Sequence, residues 1–504
     1  MAPGGVQGQS PWPYFPSWPT PLTPMPALSL SWVLVLVPLI SAGVLGLIRH
    51  PGTASLVNQG AAGFTFLLAL LLPWASGEGG LWLAPDDLGV HFAILTSFIG
   101  VCAALMSGPY VRIELETGRM TVARARAYHA LFQAFLGFLL VGLLADNAGL
   151  TWIAIEAATL SCVLVVGLAG TPRAVEASWR FFIICGVGIA LALFGTIVLY
   201  LAASAAVGPG FAAMSWRSIT LAAPRCNGLV LNLAFVFLLL GYGTKAALAP
   251  LHAWMPGAHA EGPTPVSAVL SGSLLNVAIC VILRTRHILA ANPGAISPND
   301  ALIALGLASV LLGGISLWRR ADAKRFFAFS TMEQSGLAVF GFGVGATAAA
   351  LLHLTLHTMA KAALYQCLGH AAQRKGGQSF TEIKGLIASD RTLGLSLAAS
   401  IIAVAALPPF GLIVSLFLIL SFTAAHTPWL AIPLVIGIGT GAVALIHRMQ
   451  TLCLGPATPS KFPPVSWLTL VPVLVPLGLT IVLGFAMPSP VATWFARIAA
   501  ELAP

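Results

Sequence analysis

The chain has 504 residues, of which 58% are hydrophobic and only 8% charged, and its mean hydropathy is +0.93. A soluble domain carries roughly a quarter charged residues, so this composition excludes a water-soluble globular protein and specifies an integral membrane protein. The formal charge of +9 suggests nucleic acid at first glance, but the basic residues fall in short loops between apolar runs, so they report topology and no nucleic-acid partner is expected.

Residues 1–27 are rich in Pro, Trp and Ser and hold no Lys or Arg. They lack the basic start of a secretory signal and are expected to form a poorly ordered or interfacial leader. Apolar runs then follow near 29–48, 59–76, 88–107, 127–145, 149–169, 178–203, 228–250, 264–284, 300–318, 325–346, 348–371, 392–424, 428–449 and 466–487. Each is long enough to cross a bilayer, and the alternating pattern of barrel strands is absent. The expected fold is therefore an all-α polytopic membrane protein of about 14 transmembrane helices.

Placing the first end outside puts Arg49, Arg112, Arg119, Arg124, Arg126, Arg173, Arg319, Arg320, Lys324, Arg325, Arg374, Lys375, Lys384, Arg391, Arg448 and Lys461 in inner loops. The outer side holds Arg217, Arg225, Arg284, Arg286 and Arg497. The bias is roughly three to one and favours both termini on the non-cytoplasmic side.

Two spans are interrupted by proline, at Pro250 in the seventh and at Pro408-Pro409 in the twelfth. Proline removes a helix hydrogen bond and clashes with the preceding turn. Broken helices in corresponding places of two halves point to an inverted repeat, and the odd offset of five spans supplies the inversion. The expected organisation is N-terminal helices 1–3 over 28–107, a first repeat of helices 4–8 over 127–284, a second repeat of helices 9–13 over 300–449, and helix 14 over 466–487.

The intramembrane charges carry the chemistry. Lys245 is the only charge in LVLNLAFVFLLLGYGTKAALAP, just before the first break. A lone cation there costs several kcal/mol unless it faces protein or water, so it marks an ion or proton site. Glu156 is the only charge of its span; it reads either as a protonated packing carboxyl or as the partner of a buried lysine. Pairing lowers the desolvation cost of both, and weakening the pair releases a proton, which makes it a proton switch.

His353, His357 and Lys361 recur every fourth residue and share one helix face. That stripe reads as a proton wire; satisfied core histidines and a two-histidine metal site remain alternatives. His252, His259 and Glu261 flank the first break and either feed protons in or solvate an irregular segment. Glu333 lies within a span and needs a partner. Lys324 and Arg325 read as an anchor to the inner surface, and Arg180 as a snorkelling side chain. The seven cysteines are scattered with no CxxC, so no metal, cluster or other cofactor is expected.

Taken together, GYGTKAALAPLHAWMPGAHAEGPTPVSAVLSG, DAKRFFAFSTMEQSG and HLTLHTMAKAALY resemble the antiporter-like proton-pumping subunits of respiratory complex I and related hydrogenases. Within them, the hydrogenase-4 component F group is the nearest likeness; WIAIEAATLSCVLVVGLAGTPRAVEASWRFFIICGVGIALALFGTIVLY runs nearly in step with it, and Glu333 after Ser330-Thr331-Met332 is a further mark. The resemblance covers roughly 80–490. It implies fourteen helices with two inverted five-helix repeats, broken helices 7 and 12, Glu156 as the glutamate of the fifth helix, Lys245 as the central lysine of the seventh, and His353, His357 and Lys361 as the wire of the eleventh. It departs where the family carries Glu or Lys six to seven positions after the double proline: Leu416 stands there. Gly257 also replaces a frequent Asp.

The expected function is that of a proton-translocating membrane subunit of a hydrogenase-4-like or complex I-like assembly in the cell inner membrane. Its partners would be other membrane subunits, a peripheral soluble arm and the lipid bilayer, and no redox centre or catalytic residue of its own is expected. Two alternatives stand beside this reading: the membrane subunit of a proton-driven inorganic-carbon uptake complex, and a non-pumping structural subunit.

Overall fold

The computed structural model describes residues 29–75, 82–460 and 462–502; the expected leader at 1–27 and the inner-loop Lys461 lie outside the described residues. The N-terminal helices are α1 (Leu30–Leu47), α2 (Pro51–Ala75) and α3 (Asp87–Glu116). Then come α4 (Val122–Leu144), α5 (Ala148–Gly167), α6 (Pro172–Val207), the short α7 (Trp216–Ala222) and α8 (Gly228–Lys245). After the first break follow α9 (Met255–Glu261) and one continuous helix over Thr264–Ala290, in which a π-helical turn at Leu270–Leu274 joins α10 (Thr264–Val269) to α11 (Leu275–Ala290). The second half has α12 (Asn299–Leu317), α13 (Ala323–Val344), α14 (Thr347–Lys375), the single turn α15 (Leu386–Ser389), α16 (Arg391–Val404), α17 (Leu412–His426) and α18 (Pro428–Met449). It closes with α19 (Val471–Phe485) and α20 (Ser489–Glu501). Among the described residues the structure is helical, with only three isolated β-bridges.

Among the described residues eleven helices are long and apolar enough to cross a membrane, and α16 and α17 are shorter apolar pieces on either side of the second break. Two further helices, α13 and α14, have the length but carry charged and polar side chains along it. With the continuous helix Thr264–Ala290 they are the most thoroughly buried: nearly every side chain of each is inside the bundle. Apolar helices around them supply the lipid-facing surface, so intramembrane polarity collects at the centre, where protein rather than hydrocarbon surrounds it.

Several sequence expectations need correction. The seventh span does not run to Pro250; α8 ends at Lys245, and Ala247 already has a positive φ of 54°. Arg284 and Arg286 are not loop charges. They lie buried in α11, where Arg284 makes a two-pronged ion pair with the α3 N-cap Asp86 (2.8 and 2.9 Å) and Arg286 donates to the carbonyl of Leu502 at 2.7 Å. The amphipathic α20, absent from the expected elements, is pinned there by Arg286 and by an Arg497–Asp87 ion pair. Lys324, read as an anchor to the inner surface, is buried and donates to the carbonyls of Ala260 and Gly262 at the end of α9. Arg180 stays exposed and pairs with Glu176 at 2.8 Å.

The two breaks match. Ala246-Ala247-Leu248-Ala249-Pro250 recurs as Ala405-Ala406-Leu407-Pro408-Pro409, with positive φ at Ala247 and Ala406 (54° and 52°) and a cis X-Pro bond at the end of each stretch. The backbone bonds also correspond. Ala247 donates to Thr244 and Ala406 to Ala403, both at 3.1 Å, while Leu248 donates to Gly243 at 3.0 Å and Leu407 to Ile402 at 3.1 Å. One turn of tight bonds satisfies the carbonyls that each stopped helix leaves open, as a low-dielectric setting demands.

Candidate functional site

Lys245 is the last residue of α8 and is fully buried. Its ammonium donates to Glu156 Oε2 at 3.1 Å and to Thr159 Oγ1 at 2.7 Å. Glu156 and Thr159 are three apart on α5 and so face the same way. Thr159 spends its own proton on the carbonyl of Ile155, which leaves its oxygen free to accept from lysine. The break itself is held from two sides. Trp254 donates to the carbonyl of Thr244 at 2.8 Å while stacking on Phe181, and Ser309 of α12 accepts the Ala249 N–H at 2.8 Å.

Magnitudes indicate what such a pair can do. Two unit charges 3.1 Å apart attract by about 5 kcal/mol at an effective dielectric near 20. Taking each ion out of water costs several kcal/mol, so the terms nearly cancel. A pair this close to balance is held by its geometry, and a small shift of the broken helix is enough to unmake it.

The second polar group lies on α14. His353 and His357 stack with ring centroids 6.2 Å apart and planes within 4°. Ser415 of α17 donates to the carbonyl of Leu412 and accepts from His353 Nδ1 at 3.0 Å, so the stripe ends on a hydroxyl next to Leu416. Lys361 donates to the carbonyl of Phe327 at 2.8 Å. All three α14 residues are buried.

Of the groups near the first break, His259 is fully buried and stacks on Tyr365 (centroids 4.7 Å apart), so it is not a surface residue. His252 is half-buried beside the Phe329 ring. Glu261 meets Arg325 at 3.4 Å. Glu333 is buried, and neither of its oxygens has a hydrogen-bond partner. A polar cavity of about 190 Å³ opens between α3 and α14, lined among others by Glu114, Arg119, Lys324 and Gln373; it does not reach the Lys245 pair. Among the described residues no cluster of three or more His, Cys, Asp or Glu side chains could hold a metal, and all seven cysteines are free and buried.

The family described as NADH:quinone oxidoreductase/Mrp antiporter, TM matches residues 145–441, which span both breaks, the Lys245 pair and the α14 stripe. A hydrogenase-4 component F homolog of Methylacidiphilum infernorum is 40% identical over 465 residues, covering 92% of this chain and 97% of its own length. The chain belongs to the NADH:quinone oxidoreductase/Mrp antiporter family. Two solved structures share the fold of this antiporter-like subunit. One is in the archaeal membrane-bound sulfane sulfur reductase, with a TM-score of 0.81 at 19% identity, covering 94% of this chain and 98% of that one. The other is in respiratory complex I from Thermus thermophilus with bound NADH, with a TM-score of 0.78 at 20% identity, covering 94% of this chain and 100% of that one.

The structure of this family member brings Lys245 to Glu156, and His353 to His357 in one stripe with Lys361. His252, His259 and Glu261 meet Phe329, Tyr365 and Arg325 instead. Three polar contacts lay outside the sequence reading: Thr159, Ser415 and Ser309. Thr159 was detectable, because a hydroxyl three residues after a buried acid shares its face.

Proposed function

We propose that this chain is the proton-translocating membrane subunit of a hydrogenase-4-like or complex I-like assembly, carrying protons through Glu156, Lys245, Lys361, His357 and His353. The observation that carries the reading is the Lys245–Glu156–Thr159 group at the end of a stopped helix. A buried charge pair beside a helix break is costly for packing alone and suited to a site whose protonation changes. Kinship at 40% identity with a hydrogenase-4 component F homolog supports the type of assembly.

In this reading α13, α14 and the broken pair α16–α17 also cross the membrane, which makes fourteen spans. Helices 4–8 and 9–13 are inverted repeats, as the matched breaks support. The inner membrane is the host, and both termini face away from the cytoplasm. Glu156 keeps 20% of its side chain exposed on the isolated chain. A carboxylate open to lipid is expensive, so a neighbouring membrane subunit covers it in the assembly. A peripheral soluble arm supplies the redox energy.

The test is transport by the intact purified complex in vesicles. Lys245→Ala and Glu156→Gln should each abolish proton uptake while the complex still assembles. Full transport by Lys245→Ala would end the proposal. Mass analysis of co-purifying subunits separates this reading from the alternatives: hydrogenase or quinone-reductase subunits support it, and a large soluble zinc protein as the sole partner points instead to inorganic-carbon uptake.

A further inference from the structure

In the first half of the molecule an acid on the second helix of the repeat, Glu156 on α5, meets a lysine at the end of the broken helix. The matched breaks allow the same positions to be found in the second half. The residue before the break, Lys245 in the first half, is Val404 in the second. The second helix of the second repeat is α13, and its mid-helix acid is Glu333. This half therefore keeps the acid and lacks the lysine on the broken helix. A lysine comes from the next helix instead: Lys361 of α14 is fully buried and donates at 2.8 Å to the carbonyl of Phe327 on α13, the helix that carries Glu333.

The setting of Glu333 is built around its carboxyl group. The side chain is 1% exposed and both oxygens lack hydrogen-bond partners. The carboxyl lies against the bare backbone of α18: a Cβ at Gly441 would stand 2.2 Å from Oε1 and 2.3 Å from Oε2. On its other side, a Cβ at Gly313 of α12 would come within 2.9 Å of Glu333 itself. Two helices thus give up side chains to admit a group that makes no bond there. A space-filling role needs no acid, and an unbonded buried carboxyl is costly in either protonation state.

We propose that Glu333 is a proton-carrying residue that exchanges a proton with Lys361, forming a second acid–lysine couple in the second half of the molecule. The transfer balances. Lys361 as ammonium gives up one proton and the Glu333 carboxylate takes one up, the proton passing through intervening water, which leaves a neutral amine and a neutral acid; the reverse step restores both ions. The net charge of the couple is zero in both states, which suits a buried site. The proposal rests on the proton-translocating reading and adds a residue and a step to it.

The experiment is proton uptake by vesicles containing the intact complex, with four variants compared: Lys245→Ala, Glu333→Gln, Lys361→Gln and the double Glu333→Gln/Lys361→Gln. Glu333→Gln keeps the shape of the side chain and removes its proton chemistry. It should cut uptake by at least about tenfold with subunit composition unchanged, and the double variant should be no slower than the worse single, as for two members of one transfer step. A packing role would leave uptake by Glu333→Gln near native, and that result overturns the proposal. Should Glu333→Gln fail to assemble, Lys361→Gln removes the other member of the couple, and near-native uptake by that variant overturns the proposed exchange equally. If Lys245→Ala is silent while Glu333→Gln is native, only this inference falls. If both are native, the proton-translocating reading falls with it.

Discussion

Ser309 of α12 accepts the backbone N–H of Ala249 at 2.8 Å, so a helix of the second half closes the hydrogen-bond account of the break beside Lys245. The hydroxyl donates in turn to the carbonyl of Leu305, and its Cβ presses on the α13 backbone, where a Cβ at Gly336 would stand 2.4 Å away. Movement of the broken segment is thereby tied to α12, and α12 packs along the helix that carries Glu333.

Ser309→Ala should leave the Ala249 N–H buried and unpaired, at a cost of about 1–3 kcal/mol. The expected result is a lower thermal midpoint of the purified complex and slower proton uptake. An unchanged midpoint together with unchanged uptake would show that the break is held by Trp254 alone.

Thr159→Val is the matching change on the other side of Lys245. It keeps the β-branched shape and removes the oxygen that accepts from the ammonium at 2.7 Å. A hydrogen bond to a charged group contributes about 1.5–3 kcal/mol. Uptake should fall markedly in Thr159→Val and stay near native in Thr159→Ser. Equal rates in all three proteins would assign Lys245 to Glu156 alone.

What was legible in the sequence follows a physical division. Span positions were readable because burial in lipid demands long apolar runs, and Lys245, Glu156 and the α14 stripe stood out because charge there is costly. Helix ends were less readable. The proline at 250 marked a break, yet the helix stops five residues earlier because Ala247 leaves the helical region, and nothing in an alanine announces that. The five-residue echo of that break at Ala405–Pro409 was present in the sequence but too short to stand out. Ser309 and Ser415 were invisible, since a hydroxyl in an apolar helix acquires its partner only from tertiary packing. Arg284 and Arg286 misled in the opposite direction: near the end of a span they look like loop charges, and only the structure shows Asp86 and the Leu502 carbonyl waiting for them.

Orientation is open to a direct check. A reporter active only in the cytoplasm, fused to the C-terminal end of this chain, should be silent, whereas the same reporter inserted in the loop between α14 and α15, beside the basic pair Arg374-Lys375, should be active. The reverse pattern would invert the topology and exchange the two sides of the path.

The last expectation concerns Leu416. It follows Ser415, the residue that accepts from His353, and it packs against the main apolar core and against a smaller apolar cluster that includes Val310, Ile419 and Leu434. A proton leaving the α14 stripe along α17 therefore meets Ser415, then side chains such as Ile419 that neither accept nor donate, before the next buried hydroxyl at Thr423; Ser421 lies on the exposed face. A wire needs groups that do both, or water held by polar partners. Leu416→Glu places an acid beside Ser415. In the native background it should raise proton conductance in reconstituted vesicles, and in Glu333→Gln it should restore part of the lost uptake, because it supplies an acid where the second half has lost one. Leu416→Ala, which changes size without adding an acid, should do neither. If native conductance is already high and Leu416→Glu changes nothing in either background, protons do not leave along α17, and the way out lies past Glu333 between α12 and α18. If every form is silent while the intact complex still transports, this chain is a scaffold in which the charged groups have outlived their use.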